Sequence, residues 1–507
     1  MSEMDDGRAA STAPDLISGL RRSIAFAAMD RYATGALNLV TMLVLARLLT
    51  PADVGLVALA IGIVMMLESF RDFGIGAYLV QEREITRTEI RTAFTVGFAL
   101  TLGVAAALFA AAHPLASLYG DPRLALVLQW TTLGVLAAPW SSPVVALLRR
   151  DMAFDAVALI NIVNAIVNCV LAVALAALGC GFMSLVWSSV AAAVASAIVA
   201  LRYCPGWWVF RPTLVGWSKI FAFGGYSSLT VLLNTLFTAL PTVLLGRVAG
   251  LDAVGLYNRA LLLCQLPERL IVNALQPVIL PAFSARTRAG GDLKEAYLRG
   301  LGMMTAVQWP FLVCLALLAD PFVNLVLGEQ WSGAAPLVRL LALASGSIAP
   351  AFLTFPVLVS IGRIKDTLTA SLISLPPSMA VVCAAVFLGP EALAASLFIT
   401  GPLQVYVAMR VIRRHLRFSW ADVMEAVARP VVITACAAVA PGGVVLVTGF
   451  RPDLPFVALM TAGLGAAAGW IVGLFATGHP LAAELHGIGR SAAHMAKGVP
   501  FLLSRSK

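Results

Sequence analysis

Charged side chains are scarce in this sequence of 507 residues. Asp, Glu, Lys and Arg together make up 12% of the chain, whereas hydrophobic residues make up 60%. The mean hydropathy is +0.91. A soluble globular domain has about 25% charged and about 45–50% apolar residues, so this chain has too little polar surface to fold in water. The composition therefore predicts an integral membrane protein.

Motifs of common enzyme classes are also missing. The sequence contains no GxxxxGK[ST] phosphate loop, no GxSxG nucleophile turn and no HExxH zinc motif. The seven cysteines are dispersed without a CxxC pair, and the five histidines are equally scattered. This spacing indicates neither a disulfide framework nor a metal site. We therefore expect no enzymatic activity and no cofactor.

Long apolar runs, in contrast, recur along the whole chain. A bilayer core needs about 20 apolar residues per helical span, and runs dominated by Ala, Leu, Val and Gly favour helices over the alternating strands of a barrel. The predicted fold class is an all-α polytopic membrane protein with about 14 transmembrane helices. The predicted spans are 24–48, 54–80, 91–112, 124–147, 155–178, 182–201, 219–247, 254–282, 296–318, 335–360, 367–388, 391–411, 428–449 and 455–476.

Basic residues fall in alternate connections between these spans. Arg83, Arg87 and Arg91 lie in one such connection and Arg149 and Arg150 in the next, while the intervening turns have few or none. By the positive-inside rule both termini are cytoplasmic, which requires an even number of spans. This asymmetry also accounts for the net charge of +9, so nucleic-acid binding need not be invoked.

An internal repeat divides the chain. Leu45-Ala46-Arg47 and Val54-Gly55-Leu56 recur as Leu245-Gly246-Arg247 and Val254-Gly255-Leu256. Six spans fit in each copy, which predicts two like-oriented six-helix lobes with two further C-terminal helices, a recurrent transporter architecture. The predicted segments are a cytoplasmic tail 1–22, an N-lobe 23–203, a C-lobe 204–415, a helix pair 416–478 and a cytoplasmic tail 479–507.

Polar residues at helical spacing occur in the first two spans of each copy. Charges at membrane depth are costly and usually face a bundle interior or a water-filled cavity, so we expect a polar cavity lined by these four helices. The candidate substrate-binding residues are Arg31, Asn38, Arg71, Asn234, Arg259, Gln265 and Arg269. The candidate ion-coupling residues are Asp30, Glu68, Asp72 and Glu268.

Structural roles are open for several of these features. Glu68, Arg71 and Asp72 are equally compatible with an internal ion-pair cluster or a position at the membrane interface. Arg47 and Arg247 fit snorkelling anchors, and a row that begins at Asn161 fits hydrogen bonds between helices. Gly465 and Gly469 form a GxxxG pair, which predicts close helix packing.

Two ordered stretches resemble a known family. Residues 45–60 read LARLLTPADVGLVALA and are followed by Asp72-Phe73-Gly74-Ile75-Gly76; residues 255–260 read GLYNRA and are followed by Leu280-Pro281-Ala282-Phe283-Ser284. They resemble the Wzx-type polysaccharide flippases of the multidrug/oligosaccharidyl-lipid/polysaccharide exporter superfamily. The resemblance covers most of the chain to about residue 415.

The resemblance implies transfer of an undecaprenyl-pyrophosphate-linked oligosaccharide across the bacterial inner membrane by alternating access. Arg31, Arg71, Arg259 and Arg269 are candidates for the pyrophosphate, because Arg matches phosphate oxygens bidentately. The carboxylates would titrate if transport is coupled to H+ or Na+. Implied partners are membrane lipid, a polysaccharide polymerase and a chain-length regulator.

Two other functions are open from the sequence. A cation-coupled drug or small-molecule antiporter would share the same fold and would not depend on the lipid-linked sugar. A non-transporting scaffold of a polysaccharide assembly complex predicts that neutralising Glu68 or Arg269 leaves function intact.

Overall fold

The computed structural model describes residues 13–71, 75–82, 84–269, 293–348, 351, 353–449 and 454–483. All regular elements within these ranges are helices, which confirms the predicted all-α class. The chain divides into two compact units, Met1–Gly255 and Leu256–Lys507. The boundaries of the predicted lobes stay a prediction.

The first unit holds eight helices and the start of a ninth. They are α1 (Ala13–Leu48), α2 (Pro51–Arg71), α3 (Ile75–Gln81), α4 (Arg87–Tyr119), α5 (Arg123–Arg150), α6 (Phe154–Ala177), α7 (Met183–Arg202), α8 (Trp217–Val248) and α9 (Gly250–Cys264), which continues into the second unit. A 3-10 turn, Trp207–Phe210, lies between α7 and α8. Helix α1 packs on α6, α2 on α8, and α4 on α5.

Local chemistry sets the ends of α4. Thr86 accepts a hydrogen bond from the backbone N–H of Glu89 at 3.2 Å, and the Glu89 carboxylate accepts one from the backbone N–H of Thr86 at 2.9 Å. This capping box satisfies two N–H groups that have no partner within the helix. At the other end Gly120 adopts a left-handed conformation, which terminates the helix.

The described part of the second unit contains nine further helices. They are α10 (Leu293–Leu317), α11 (Ala319–Val326), α12 (Ala335–Ser345), α13 (Thr354–Ser360), α14 (Ile364–Val386), α15 (Pro390–Ala395), α16 (Leu397–Leu416), α17 (Trp420–Thr448) and α18 (Phe456–Ala476). Helix α10 packs on α17, and α17 packs on α18. A core on α10 and α16 includes Tyr297, Met409 and Ile412, all fully buried.

Eleven helices of the described part are long and apolar enough to cross a membrane. They correspond to eleven of the fourteen predicted spans. The other three predictions fall on the charged helix α1, on 254–282, of which residues 270–282 lie outside the described part, and on 335–360. The total of fourteen therefore stays a prediction.

One predicted span is interrupted. The span 335–360 contains two helices, α12 and α13, with turns at residues 346–348 after the first of them. The span 54–80 includes most of α2 and most of α3, and residues 72–74 between them lie outside the described part. Residues 320–334, between the predicted spans 296–318 and 335–360, are largely helical, and Val323, Leu327 and Trp331 are fully buried within the second unit.

The repeat motif marks a close helix crossing within the first unit. A Cβ at Gly55 would lie 1.8 Å from the Leu251 carbonyl oxygen, and one at Gly255 would lie 2.0 Å from the Pro51 carbonyl oxygen. The two contacts are equivalent under the repeat offset of 200 residues. Only glycine lets the two backbones approach this closely.

Glycines also join the last two helices. A Cβ at Gly469 would lie 2.3 Å from the Cys436 carbonyl oxygen, and one at Gly465 would lie 2.5 Å from the Ala440 Cβ. The close packing predicted from this GxxxG pair is confirmed.

Candidate functional site

A carboxylate on α1 is held by an amide on α6. The Nδ2 of Asn161 donates to the Oδ2 of Asp30 at 2.8 Å. The other oxygen, Oδ1, is buried and accepts no hydrogen bond from any described residue. A buried carboxylate oxygen without a donor is costly unless it binds a proton or a cation.

Two arginines act electrostatically on this carboxylate. Arg31 follows Asp30 on α1, and Arg149 approaches it from the last turn of α5. The neighbouring Arg150 has a different role, because it donates to the carbonyl oxygens of Leu79, at 3.1 Å, and Glu82. Arg150 thus fixes the end of α3 and leaves Arg149 to contribute charge.

Helix α2 supplies a second ion pair. Glu68 and Arg71 lie 2.9 Å apart at positions i and i+3, with side chains 28% and 16% exposed. The ion pair considered from the sequence is therefore present for these two residues. The third candidate of that cluster, Asp72, lies outside the described residues.

A pocket of about 490 Å³ opens among α3, α4 and α5 of the first unit. We call it the first-unit pocket. Arg71 and Arg149 both line it, together with Ser141, Ser142 and the aromatic rings of Phe94 and Phe98. Guanidinium groups bind phosphate oxygens, hydroxyls hydrogen-bond to sugars, and aromatic rings provide flat apolar surface. The lining suits a polar, anionic ligand with a carbohydrate part.

A groove of about 530 Å³ lies in the second unit among α10, α11, α17 and α18. We call it the second-unit groove. Its lining is almost wholly apolar and includes Phe311, Phe322, Met460, Ala467 and Trp470. Such a surface suits a hydrocarbon chain.

The sequence-predicted residues of the second unit separate into two places. Arg269 donates to the Gln265 side-chain oxygen at 3.0 Å, next to the half-buried Glu268. Arg259 instead is 6% exposed, and its guanidinium lies 5.4 Å from the centre of the buried Trp331 ring. No described residue accepts a hydrogen bond from its Nε. Arg259 is thus packed in the second unit against the segment 320–334.

The two candidate asparagines are exposed. Asn38 lies on α1 and Asn234 on α8. The cavity predicted for the first two helices of both repeat copies stays a prediction. What the structure brings together is Asp30 with Arg31, Glu68 with Arg71, and Gln265 with Arg269.

Sequence reasoning missed one residue of the first unit, Arg149, which it interprets only as a topological charge. The hydrogen bond between helices expected at Asn161 is confirmed, although its partner Asp30 was not predicted. No local pattern separates Arg149 from Arg150. For Asn161, the presence of a buried carboxylate on another apolar helix was an available signal, because such a group needs a donor.

Comparison with known sequences adds the family. Residues 44–336 match the family described as polysaccharide biosynthesis protein. The chain belongs to this family. The match begins at the end of α1 and includes both copies of the glycine motif and every residue of the first-unit pocket.

Two curated proteins are similar to parts of the chain. The succinoglycan biosynthesis transport protein ExoT of Rhizobium meliloti (strain 1021) is 28% identical over 68% of this chain and 69% of that protein. The lipopolysaccharide biosynthesis protein WzxC of Escherichia coli (strain K12) is 25% identical over 60% of this chain and 62% of that protein.

Solved structures share the fold at lower identity. The lipid II flippase MurJ in an inward closed conformation has a TM-score of 0.69, with 13% identity, 88% of this chain covered and 97% of that chain. An inward-facing multidrug resistance transporter of the MATE family gives a TM-score of 0.60, with 14% identity, 77% of this chain covered and 98% of that chain. The protein is therefore a multi-pass membrane protein with the fold of this transporter superfamily.

Proposed function

We propose that the protein is a flippase that moves an undecaprenyl-pyrophosphate-linked oligosaccharide across the bacterial inner membrane for surface polysaccharide synthesis. The proposal rests on the presence of two arginines, Arg71 and Arg149, in one pocket of a chain that belongs to the polysaccharide biosynthesis family. The relative ExoT is named as a succinoglycan biosynthesis transport protein, and this name supports the proposal.

The first-unit pocket would receive the charged end of this substrate. A pyrophosphate brings negative charge to membrane depth, where it needs cations and hydrogen-bond donors. Arg71 and Arg149 supply the cations, and Ser141 and Ser142 supply hydroxyls. Exposure of this site to one side of the membrane and then to the other would move the sugar by alternating access.

The second-unit groove would receive part of the polyprenyl chain. Each buried CH2 group of such a chain contributes about 0.8 kcal/mol. An apolar groove that is as large as the polar pocket therefore suits the same amphipathic molecule.

Asp30 is the residue we propose for coupling to H+ or Na+. One of its oxygens is fixed by Asn161, and the other is buried without a donor among the described residues. Binding of a proton or a sodium ion would satisfy this oxygen and remove the buried charge. Asp30 would thus give transport an ion dependence without a cofactor.

The arginine-rich ends of α4 and α5 would face the cytoplasm, with both chain termini on the same side. A polysaccharide polymerase and a chain-length regulator on the outer side would use the exported unit.

Leaflet-resolved quantification of undecaprenyl-pyrophosphate oligosaccharide tests the function. Cells that lack the protein should accumulate the complete unit on the cytoplasmic side, and the intact gene should reverse this. Arg149→Gln should restore export about tenfold less well, because a hydrogen bond to a charged group contributes about 1.5–3 kcal/mol. Arg149→Lys, which keeps the charge, is the matched control. It should restore export to a level between that of Arg149→Gln and that of the wild type.

A second candidate is a cation-coupled antiporter of small molecules. The orphan oxygen of Asp30 and the likeness to the multidrug transporter favour it. If no lipid-linked unit accumulates, surface polysaccharide is unchanged and no redundant exporter is present, the antiporter replaces the flippase.

A further inference from the structure

Residues 203–217 form a strap between α7 and α8 that is tied to the start of α4. Arg91 donates to the carbonyl oxygen of Arg211 at 3.0 Å. Thr92 donates its hydroxyl to the carbonyl oxygen of Val215 at 2.8 Å, and Thr95 accepts from the backbone N–H of Thr213 at 2.9 Å. These hydrogen bonds fix the strap's backbone on the arginine-rich end of the first unit.

Two side chains of the strap point inward. Val209 is fully buried. The ring of Phe210 lies 5.1 Å from that of Phe94 and 5.3 Å from that of Trp140. The strap is therefore an ordered element whose outward side has a defined composition.

That outward side is apolar. Trp207, Leu214, Val215 and Trp217 are 73%, 61%, 67% and 54% exposed. They lie outside the eleven candidate spans found among the described residues. Large apolar side chains left exposed together indicate a surface that another apolar phase covers.

Basic side chains bracket the same surface. Arg202, Arg211 and Lys219 are exposed. Arg87 lies 5.2 Å from the ring centre of Trp208, and Lys219 lies 3.7 Å from the Glu89 carboxylate. Trp side chains are enriched at the headgroup level of a membrane, and Arg and Lys side chains are attracted by anionic headgroups.

Other exposed apolar turns lack this charge. Leu178 is 78% exposed between α6 and α7, and Phe387 and Leu388 are 69% and 81% exposed between α14 and α15. No Lys or Arg lies between 150 and 202 or between 365 and 410. Apolar exposure alone is thus shared by several turns, whereas at the strap it is combined with Arg202, Arg211 and Lys219; a smaller combination of the same kind, with Trp420 and Arg414, lies in the second unit.

We propose that the strap is a binding surface for anionic phospholipid. Trp207, Leu214, Val215 and Trp217 enter the boundary between headgroups and acyl chains, and Arg202, Arg211 and Lys219 contact the lipid phosphates. The occupant is the leaflet at the arginine-rich end of the molecule. This inference does not depend on the transported substrate.

Two measurements on the full-length protein in nanodiscs test it. Hydrogen exchange of residues 203–217 should slow when phosphatidylglycerol is added to phosphatidylcholine. Native mass spectrometry should show phosphatidylglycerol retained by the wild type and lost from a variant with Arg202→Gln, Arg211→Gln and Lys219→Gln. Each removed charge should weaken retention about fivefold.

The matched control removes three exposed basic residues of the second unit, with Arg363→Gln, Lys365→Gln and Arg414→Gln. It should retain phosphatidylglycerol as the wild type does. A variant with Trp207→Ser and Leu214→Ser should lose protection in both lipid mixtures, because the apolar contact is common to them. The thermal unfolding of this double variant, and of the triple variant at Arg202, Arg211 and Lys219, should match that of the wild type.

Equal retention by the two triple variants would overturn the proposal. The proposal would also be overturned if hydrogen exchange of the strap did not change with phosphatidylglycerol. That result would assign the surface to a protein partner.

Discussion

The two copies of the repeat are alike where their backbones touch, whereas the cavities of the two units differ in their linings. At the crossing in the first unit, Gly55 faces the Leu251 carbonyl and Gly255 faces the Pro51 carbonyl, at equivalent positions of the two copies. The first-unit pocket of about 490 Å³ contains two arginines, whereas the second-unit groove of about 530 Å³ is apolar. Contact between backbones tolerates no side chain, so it constrains sequence far more than a cavity wall does.

This difference matches the two ends of the proposed amphipathic substrate. The pocket with two arginines lies within the first copy, whereas the apolar groove is formed in part by α17 and α18, which follow the second copy. Four changes, from the largest expected effect to the smallest, test the helix crossing, the Asp30 carboxylate, the second-unit groove and the turn between α4 and α5.

The largest effect is expected at the crossing. Gly55→Ala and Gly255→Ala each place a Cβ within 2.0 Å of a carbonyl oxygen and should lower the free energy of unfolding by about 3 kcal/mol. Thermal unfolding of the purified protein measures this. Gly35→Ala on α1 meets no atom within 4 Å and should be neutral or slightly stabilising. Unequal losses at the two glycines would break the equivalence of the copies.

Asp30→Asn should reduce export about tenfold while the protein stays in the membrane. The change keeps the size of the side chain and removes its charge. If Asp30 couples transport to an ion, the variant should lose a coupling free energy in the usual range of about 1–3 kcal/mol. Export of surface polysaccharide in a deletion strain is the readout. Asp151→Asn, at an exposed turn, is the control and should export normally. Normal export by the Asp30 variant would remove this residue from the coupling proposal.

Filling the second-unit groove should have a smaller effect. Ala467→Phe occupies space that the polyprenyl chain would use and should lower export about fivefold, equivalent to about 1 kcal/mol of lost apolar burial. Ala468→Phe adds the same ring to the next residue of α18, which is exposed and does not line the groove. Equal export by the two variants would show that the groove holds no part of the substrate.

The smallest effect concerns the turn between α4 and α5. Arg123 donates hydrogen bonds to Asp121, which lowers the pKa of that carboxyl below its ordinary 3.8. Arg123 also interacts electrostatically with Asp53 of the first copy and with Asp252 of the second. Because the folded-state pKa is lowered, the stabilisation is present above pH 3.8 and is lost as the pH falls further.

Asp121→Asn should therefore lower the unfolding free energy by about 0.5 kcal/mol at pH 7, since solvent screens this partly exposed pair. The difference between variant and wild type should shrink towards pH 3, as followed by thermal unfolding in detergent. A difference that grows as the pH falls would contradict the assignment.

Much of the fold could be predicted from the sequence. Eleven predicted spans, the close packing at Gly465 and Gly469, and the pairing of Glu68 with Arg71 follow from composition and helical spacing. The interruption after Ser345 could not be predicted, because the apolar run continues through it and the break depends on packing.

The candidate site was less predictable. Arg31, Arg71 and Asp30 stood out because charge within an apolar run is visible in one dimension. Arg149 did not stand out, since a basic residue at a helix end is the usual topological signal. Its approach to Asp30 and its place beside Arg71 arise from the packing of three helices.

The sequence by itself determined that this is a helical membrane protein, built from a repeat, with charges at a few membrane-depth positions and a resemblance to polysaccharide exporters. Hydropathy and spacing are properties of single helices, so they can be read along the chain. Only the tertiary structure decided that Asn161 holds Asp30, that Arg149 and Arg150 have different roles, and that Gly55 and Gly255 meet. These depend on which helices become neighbours, and that is set by side-chain packing over residues far apart in the sequence.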